Sequence, residues 1–385
     1  MATIKFKEAS SPYTKPSPSP PVQDTIYRKY LEDVTLKKGL GHPMVKVALF
    51  GVGRAGTIHL SNIIASPRLK LLYIVDDVES NRANMKEYWH LDDVTFLTSK
   101  QADRVYNEPN VDAVIVASPT YTHETIVRKA LEGKKAVLCE KPVAKDNVNT
   151  LKCYETAKNN GKPLFCAFYR RFDPSYLDLK ERVRNGEIGH VHIIKTVSRD
   201  CTLPSLEYLK NSGGILHDSM VHDIDVITWI LGEYPTKVSV QAYAHIPEIK
   251  AIGDYDTVAV SFCFPSGTLG MIDMSRNSVH GYDQRVEVFG PKGMITADNQ
   301  RPLSVVTQIG TQGTNTSPIW YSFPSRFMNA YRRELDHFVN IALGKVESSV
   351  LPKETLAVSK IASACEESAR TGETVKIQWT ENELP

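Results

Sequence analysis

The sequence lacks several features that would mark it as something other than an ordinary globular protein. In its 385 residues, no uninterrupted apolar run approaches the roughly 18 residues of a membrane-spanning helix. It also lacks an excess of charge of one sign, since 46 Lys and Arg residues face 44 Asp and Glu residues. Proteins that bind nucleic acids or membrane surfaces normally carry an excess of basic residues, so we expect neither as a partner.

Cysteine is scarce as well. The six cysteines include no Cys-x-x-Cys pair, which argues against both a disulfide framework and a zinc framework. We therefore expect reduced thiols in a cytoplasmic protein. With 42% hydrophobic and 23% charged residues, a chain of this length can bury a sizeable core without disulfides.

The first 43 residues differ in composition from the rest. They are rich in Pro and Ser, as in residues 17–21, and contain little that could be buried. Such composition favours an extended or disordered arm, here residues 1–43, in which residues 26–40 could form a short helix. The arm has neither the apolar core of a secretory signal nor the Arg-rich pattern of a transit peptide.

From Val45 onwards, short apolar runs alternate with stretches of helical character. The predicted strands are 45–50, 69–75, 111–116, 135–139 and 163–168, and the predicted helices are 56–65, 80–89, 122–132 and 148–160. Continuous apolar strands that alternate with helices indicate a parallel sheet with both faces covered. Because such crossovers are right-handed, we expect a doubly wound α/β domain in residues 44–165.

A different pattern follows residue 185. The predicted strands are 189–198, 237–244, 257–264, 268–275, 284–289 and 303–308, and the predicted helices are 327–343 and 354–370. The sequences at 265–267 and 291–293 are typical of hairpin turns. Successive strands with tight turns predict an α+β domain with a mostly antiparallel sheet, which we assign to residues 166–385.

A glycine motif follows the first predicted strand and begins the first helix. It has the form G-x-G-x-x-G and includes Gly51, Gly53, Arg54, Ala55 and Gly56. Here Gly51 would allow a tight turn, Gly53 would let a pyrophosphate approach the backbone, and Gly56 would let helix and strand pack closely. The helix N-terminus would attract the phosphates. The alternative is a glycine turn with a purely structural role.

Asp76 follows the second predicted strand, at the position where a dinucleotide-binding domain carries an acid. A carboxylate there would accept hydrogen bonds from the adenosine ribose. Asp77 comes next, and the first following cation is Arg82, so a ribose 2′-phosphate would meet two carboxylates. We therefore expect NAD as the cofactor rather than NADP, although Asp76 could also simply end a strand.

The loop after the third predicted strand contains Ser118, Pro119 and Thr120. Ligands of doubly wound sheets bind outside this carboxyl edge, so we expect the loop on the nicotinamide side of the cofactor. His123 follows closely. We place it among the cofactor-side residues, at the start of a helix rather than in catalysis.

Glu140, Lys141 and Pro142 follow the fourth predicted strand. A lysine at this edge would lie near the cofactor ring, with Glu140 beside it. Its ammonium group could stabilise a developing alkoxide or polarise a carbonyl. Pro142 would restrict the loop. Taken alone, a lysine after a strand is usually a solvated surface group.

Residues 212–225 form a second segment with candidate catalytic residues. Asp218 and His222 are four residues apart, and on a helix such residues share a face. That face could present a carboxylate and an imidazole to one substrate, and an imidazole titrates near neutral pH, which suits proton transfer. Asp218 could orient the ring or hold a neighbouring hydroxyl. The alternatives are a helix cap at Asp218 and a core histidine at His222.

The same segment could also hold a metal. Its potential ligands are His217, Asp218, His222, Asp223 and Asp225. A pair four residues apart on a helix can bind zinc. However, no third ligand is marked elsewhere, and a reaction in which NAD accepts hydride needs no metal. We therefore expect none.

The three motifs occur together in one known family. With Gly51-x-Gly53-x-x-Gly56, Glu140-Lys141-Pro142 and Asp218-x-x-x-His222 in this order, residues 45–375 resemble the glucose–fructose oxidoreductase, inositol dehydrogenase and rhizopine catabolism (Gfo/Idh/MocA) family. Within it the chain looks most like the myo-inositol 2-dehydrogenase branch. Four further stretches support this resemblance: 170–174, 198–200, 281–285 and 330–335.

The resemblance implies a Rossmann domain followed by a substrate domain, whose large open sheet joins chains into homodimers or homotetramers. It implies Lys141, Asp218 and His222 as the catalytic set. The substrate pocket would contain Lys141, Tyr169, Arg170, Asp218, His222 and Tyr282. Tyr169 is an aromatic residue where smaller or polar ones are common in the family, so the resemblance leaves the identity of the polyol open.

The predicted reaction is oxidation of a secondary alcohol of a cyclic polyol or sugar. His222 would take the hydroxyl proton, hydride would pass to NAD, and Lys141 would stabilise the oxygen. Asp218 would position His222 or the substrate. Two alternatives stay open: a non-catalytic NAD-binding regulator on the same fold, and a dehydrogenase of other substrates such as dihydrodiols, which an apolar, aromatic-lined pocket would favour.

Overall fold

The computed structural model describes residues 44–385 and, before them, residues 24, 27, 28 and 31. Tyr27, Arg28 and Leu31 are helical, but the predicted arm and the rest of its predicted helix lie outside the described residues. Within the described part of the chain, no helix is both long and apolar enough to cross a membrane.

The first sheet contains six parallel strands in the order β3-β2-β1-β4-β5-β6. The strands are β1 (Val45–Phe50), β2 (Leu69–Val75), β3 (Thr95–Leu97), β4 (Ala113–Val116), β5 (Ala136–Glu140) and β6 (Leu164–Ala167). The helices are α1 (Arg54–Ala65), α2 (Glu79–Tyr88), α3 (Asp103–Tyr106), α4 (Thr120–Glu132) and α5 (Asn147–Asn160), with a 3₁₀ turn at Ser99–Gln101. Strands β4 and β5 are buried along their whole length, as strands covered on both faces must be. The predicted doubly wound parallel sheet is confirmed.

The order of the strands reverses between β1 and β4, which pair side by side. In doubly wound sheets, ligands bind in the crevice outside the carboxyl ends of the strands at such a reversal. The predicted elements of this half differ from the observed ones by at most two residues at either end. Strand β3 was not predicted from the sequence, because a three-residue strand in which only Leu97 is buried produces no apolar run.

The second sheet has seven strands in the order β12-β11-β7-β10-β9-β8-β15. They are β7 (Ile193–Arg199), β8 (Lys237–Tyr243), β9 (Thr257–Cys263), β10 (Leu269–Ser275), β11 (Asp283–Gly290), β12 (Gly293–Ala297) and β15 (Val375–Lys376). The pair β7 and β10 is parallel and the other pairs are antiparallel, so the predicted mostly antiparallel sheet is confirmed. The short strands β12 and β15 were not predicted.

The remaining elements of this half are helices and a separate hairpin. The helices are α6 (Pro174–Arg184), α7 (Leu206–Asn211), α8 (Gly214–Asp218), α9 (Val221–Leu231), α10 (Pro247–Ala251), α11 (Phe323–Arg326), α12 (Met328–Ala342) and α13 (Pro352–Thr371), with 3₁₀ turns at Tyr169–Phe172 and Glu381–Glu383. A separate hairpin is formed by β13 (Val306–Gln308) and β14 (Thr314–Thr316). The predicted strand 303–308 is therefore wrong as a member of the large sheet: only its end is a strand, and it pairs with β14.

One face of the large sheet is covered and the other is open. Along β9, Val258, Val260 and Phe262 are buried, whereas the alternate side chains are largely exposed. Helices α9 and α13 pack on the buried face. Helix α13 also contacts α5 of the first half, where Tyr154 and Thr355 share a 3.0 Å hydrogen bond between their hydroxyl groups. The boundary at residues 165 and 166 stays a prediction.

Candidate active site

A cavity of about 1310 Å³ lies where the carboxyl ends of β1, β4 and β5 face the ends of β7 and β10. Of the residues that the sequence analysis assigned to cofactor, substrate or catalysis, all except Gly56 line it. The distant motifs are therefore brought to one space. What each side chain contacts there determines what it can do.

The glycine turn has the geometry that a pyrophosphate requires. Gly51 has a φ of 85°, a region that favours glycine. A Cβ atom added at Gly53 would meet nothing within 4 Å, which leaves open space above the backbone where α1 begins. The first N–H groups of α1 have no side-chain cap, so they are free to bind an anion. Gly56 lies behind the turn, and a Cβ there would collide with the carbonyl oxygen of Gly51.

Two carboxylates border the cavity after β2. The oxygens of Asp76 accept hydrogen bonds from the backbone of Val52 at 2.9 Å and of Val78 at 2.8 Å. Asp77 accepts one from the backbone of Ser99 at 2.7 Å, and this bond holds the pKa of Asp77 below its ordinary value. The guanidinium of Arg82 is occupied by the carbonyl of Asp76. Fixed carboxylates at this place suit the two free hydroxyls of an NAD ribose and repel a 2′-phosphate.

His123 joins the two loops that face the middle of the cavity. Its Nδ1 lies 2.7 Å from the carbonyl of Pro142, and its Nε2 lies 2.8 Å from the carbonyl of Ser118. Burial lowers its pKa below the ordinary value. His123 is in the first turn of α4, as expected. Its neutral ring has one N–H, which can donate to either of the two carbonyls and so links the loops.

Glu140 lines the cavity and contacts α1. Its Oε1 lies 2.8 Å from Nε2 of His59, which is fully buried on α1. The pair connects the end of β5 to the helix that follows the glycine turn. Lys141 comes directly after this anchored residue, and its peptide bond with Pro142 is cis.

Lys141 and Asp218 form a buried ion pair. Nζ of Lys141 lies 3.0 Å from Oδ1 of Asp218 and also donates to the Asp218 carbonyl. Burial disfavours the charged forms of both groups, but their attraction to each other outweighs this effect. As a result, the pKa of Lys141 is raised and that of Asp218 is lowered from the ordinary values. Lys141 is therefore an ammonium ion at the cavity wall, in a position fixed by Asp218.

The expectation that Asp218 and His222 share one helix is wrong. Helix α8 ends at Asp218 and α9 begins at Val221, with Ser219 and Met220 between them. The Asp218 carboxylate consequently turns to Lys141 and accepts a hydrogen bond from the Tyr208 hydroxyl at 2.9 Å. It does not orient the His222 ring, and it caps no helix.

His222 is buried against aromatic rings at the cavity wall. Its ring centroid lies 5.0 Å from that of Tyr169 and 6.3 Å from that of Phe168. Its Nδ1 is buried and has no hydrogen-bond partner among the described residues. Burial, with smaller contributions from Lys141 and Arg170, holds the pKa of His222 well below its ordinary value. The imidazole is therefore neutral at pH 7 and able to accept a proton.

The acidic residues considered as metal ligands have other partners. Asp223 pairs with Arg170 at 3.2 Å, and Asp225 pairs with Arg171 at 2.6 Å. In the part of the chain that the structure describes, no three His, Cys, Asp or Glu side chains converge as a metal site would require. Arg170 also donates to the Tyr282 hydroxyl at 3.4 Å, so two of the predicted substrate residues contact each other.

The residues of the cavity wall that were not identified as site residues from the sequence include Asp200, Arg276 and Tyr208. Asp200 follows β7, and burial raises its pKa, which Arg170 and Arg276 partly oppose. Arg276 is buried, 3.3 Å from Asp254 and 3.8 Å from Asp218. Tyr208 donates to Asp218. Asp200 lies in one of the stretches that support the family resemblance, but single residues such as Tyr208 and Arg276 carry no sequence motif.

Comparisons with known proteins agree with this geometry. Residues 45–168 match the domain described as the oxidoreductase family NAD-binding Rossmann fold, and residues 176–296 match the GFO/IDH/MocA C-terminal domain. Myo-inositol 2-dehydrogenase of Thermotoga maritima is 39% identical over 304 residues, which cover 78% of this chain and 89% of that protein.

Solved structures are similar over nearly the same length. A probable dehydrogenase from Thermotoga maritima has a TM-score of 0.81 at 36% identity and covers 86% of this chain and 98% of its own. The scyllo-inositol dehydrogenase from Lactobacillus casei, with bound NAD(H) and scyllo-inositol, has a TM-score of 0.79 at 28% identity and covers 86% and 99%.

Proposed function

The chain belongs to the GFO/IDH/MocA family of NAD-binding oxidoreductases, and we propose that its cavity oxidises one secondary hydroxyl of an inositol through Lys141 and His222. The similarity to known proteins confirms the predicted family, cofactor and class of reaction. The roles of individual residues are our proposal. The observation that carries it is the ammonium of Lys141 and the neutral imidazole of His222 on the wall of the cavity that also contains the glycine turn.

The residues of the first half fit NAD. The open space at Gly53 and the uncapped start of α1 would hold the pyrophosphate. The Asp76 carboxylate would accept hydrogen bonds from the ribose hydroxyls. When bound, NAD supplies the acceptor for the hydride that leaves the carbinol carbon. The loop of Ser118, Pro119 and Thr120 lines the cavity, and His123 links it to Pro142, next to Lys141.

Lys141 stabilises the substrate oxygen as negative charge develops on it. Its charge is maintained by Asp218, and both groups are largely removed from water, where an electrostatic contact is stronger than at the surface. Asp218 is a positioning residue in this account, because its carboxylate contacts the lysine and not the histidine.

His222 takes the proton of the hydroxyl. Burial and two nearby cations keep the ring neutral, which is the form that a proton acceptor needs. The stacked rings of Tyr169 and Tyr331, with centroids 4.3 Å apart, support the ring from one side. A regulator that only sensed NAD would need neither this imidazole nor the ammonium of Lys141.

The substrate end of the cavity is polar. Tyr169 and Tyr282 contribute aromatic surface there, but Arg170, Asp200 and Ser198 contribute charge and hydroxyl groups. Several donors and acceptors at fixed positions match a polyol, and a substrate that lacks the matching hydroxyls leaves them unpaired at a high cost. This observation favours an inositol or related sugar over a dihydrodiol.

We also propose that the chain forms homodimers or homotetramers through the open face of the large sheet. The side chains of Tyr243, Leu269 and Met271 on this face are 58%, 49% and 45% exposed. Apolar surface exposed to this extent favours burial against a second copy of the chain. We place the enzyme in the cytoplasm, because all six of its cysteines are free. Light scattering of the purified chain tests the association.

The experiment that tests the function measures NAD reduction with a panel of inositol stereoisomers, sugars and dihydrodiols. We expect turnover with at least one inositol and none with dihydrodiols. Binding of NAD without turnover of any compound would instead support the regulator, and turnover of dihydrodiols alone would change the substrate class.

A further inference from the structure

Tyr208 connects the catalytic ion pair to the cofactor side of the cavity. Its hydroxyl donates to Oδ1 of Asp218 at 2.9 Å, the same oxygen that binds Lys141. The guanidinium carbon of Arg54 lies 5.0 Å from the centre of its ring. One side chain of α7 thus contacts both a residue that holds the catalytic lysine and the first residue of α1.

Arg54 is placed to bind an anion. It follows Gly53 directly, beside the open space at the start of α1. Its guanidinium lies close to two rings, those of Tyr208 and of Phe323 at 5.3 Å, within the range of cation–π attraction. Among the described residues, it makes no ion pair and no side-chain hydrogen bond, so its N–H donors are free for a phosphate.

The hydroxyl of Tyr208 affects the charge state of its acceptor. Apart from the Tyr208 hydroxyl, the groups that hold Asp218 ionised are Lys141 and, on its other oxygen, Arg276 at 3.8 Å. A donated hydrogen bond favours the ionised form of a carboxylate. Removing the hydroxyl therefore frees one side of Asp218 and raises the pH at which the pair with Lys141 is lost.

We propose that Tyr208 is a positioning residue that couples the seating of the dinucleotide to the alignment of Lys141. Phosphate binding fixes Arg54, Arg54 fixes the ring of Tyr208, and the hydroxyl of Tyr208 fixes Asp218 and with it the lysine. The proposal rests on the function proposed above and adds a dependence of turnover on a residue that need not touch the substrate.

The test uses Tyr208→Phe, which keeps the ring over Arg54 and removes only the hydroxyl. We expect the Kd of NAD, measured by calorimetry, to stay within about 2-fold of wild type, because the ring contact remains. We expect kcat with saturating NAD and inositol to fall about 10-fold, the usual effect of losing a hydrogen bond to a charged group. A loss of kcat while the Kd of NAD stays unchanged is a split that a merely structural role would not cause.

Tyr88→Phe is the matched control, since Tyr88 is 73% exposed on α2 and outside the cavity. It should change none of these quantities. If Tyr208→Phe equals Tyr88→Phe in kcat, the proposal is overturned.

Arg54→Met tests the other half of the coupling. It should weaken NAD binding about 10-fold, and at saturating NAD it should also lower kcat, because Tyr208 is no longer held. Combining it with Tyr208→Phe should give less than the sum of the two effects on kcat. Strictly additive effects would show that the two residues act separately and would overturn the coupling. If the wild-type protein itself binds no NAD or turns over no inositol, the proposed function fails instead.

Discussion

Nζ of Lys141 lies 3.0 Å from Oδ1 of Asp218, although 77 positions separate the two residues in the chain. Lys141 follows the fifth strand of the parallel sheet, and Asp218 ends a short helix of the second half. The cavity is thus built by both halves together. The charge of the lysine depends on a residue that no local motif connects to it.

Replacing Lys141 with Ala should lower kcat about 100-fold or more, because the developing negative charge on the substrate loses its ammonium partner. The Kd of NAD should change only a few-fold, since the phosphate and ribose contacts lie elsewhere. Steady-state kinetics and calorimetry measure the two quantities. Lys145→Ala is the control, because Lys145 is exposed and does not line the cavity. Near-normal turnover of Lys141→Ala would refute the role of the lysine.

The acid limb of kcat/KM should lie below pH 6.5, the ordinary pKa of a histidine. Burial first, and then Lys141 and Arg170, lower the pKa of His222, so acidification protonates the ring only below that value. Above it, the neutral ring is in the form that our proposal requires for taking the substrate proton. His222→Gln should lose most turnover and this limb together. A limb centred above pH 6.5 in the wild-type enzyme would contradict the assignment.

Gly53→Ala should weaken NAD binding without changing the stability of the fold. The added methyl group meets nothing within 4 Å, and the φ of −73° suits alanine, so the melting temperature of the cofactor-free protein should not change. The Kd of NAD should rise about 10-fold or more, because the methyl group occupies the space for the pyrophosphate. Gly56→Ala should instead affect stability. Its methyl group collides with the Gly51 carbonyl and should destabilise the fold by about 1–3 kcal/mol. Unchanged NAD affinity in Gly53→Ala would place the cofactor elsewhere.

Glu334 should make the protein less stable as pH rises. It is fully buried on α12 with neither carboxyl oxygen hydrogen-bonded among the described residues. Burial, and then the Glu140 carboxylate, raise its pKa well above the ordinary value of 4.5. The unfolded chain therefore releases this proton above about pH 4.5 while the folded chain keeps it, so stability falls from there towards the folded pKa.

Glu334→Gln removes this dependence, since the amide has no proton to lose. The gain in melting temperature over wild type should be small at pH 5 and should grow towards pH 8. Glu347→Gln, at an exposed carboxylate, is the matched control. An equal shift at both pH values would mean that Glu334 is ionised in the fold.

Local patterns in the sequence predict much of this molecule. The glycine turn, the strands of the parallel sheet and the lysine after β5 each depend on neighbours within one short segment, so they could be found without the structure. The partner of Asp218 could not, because it depends on the packing of two halves of the chain. The break at Ser219 and Met220, which turns Asp218 away from His222, leaves no signal in a pattern that suits one continuous helix.

The most direct measurement follows the hydrogen that leaves the substrate. The protein is given NAD and myo-inositol that carries deuterium on the carbon of the hydroxyl to be oxidised, and the reduced cofactor is analysed by mass spectrometry. We expect the label on the nicotinamide and slower turnover than for unlabelled substrate, and we expect Lys141→Ala and His222→Gln to suppress the transfer. Unlabelled cofactor, or transfer that both substitutions leave intact, would contradict it.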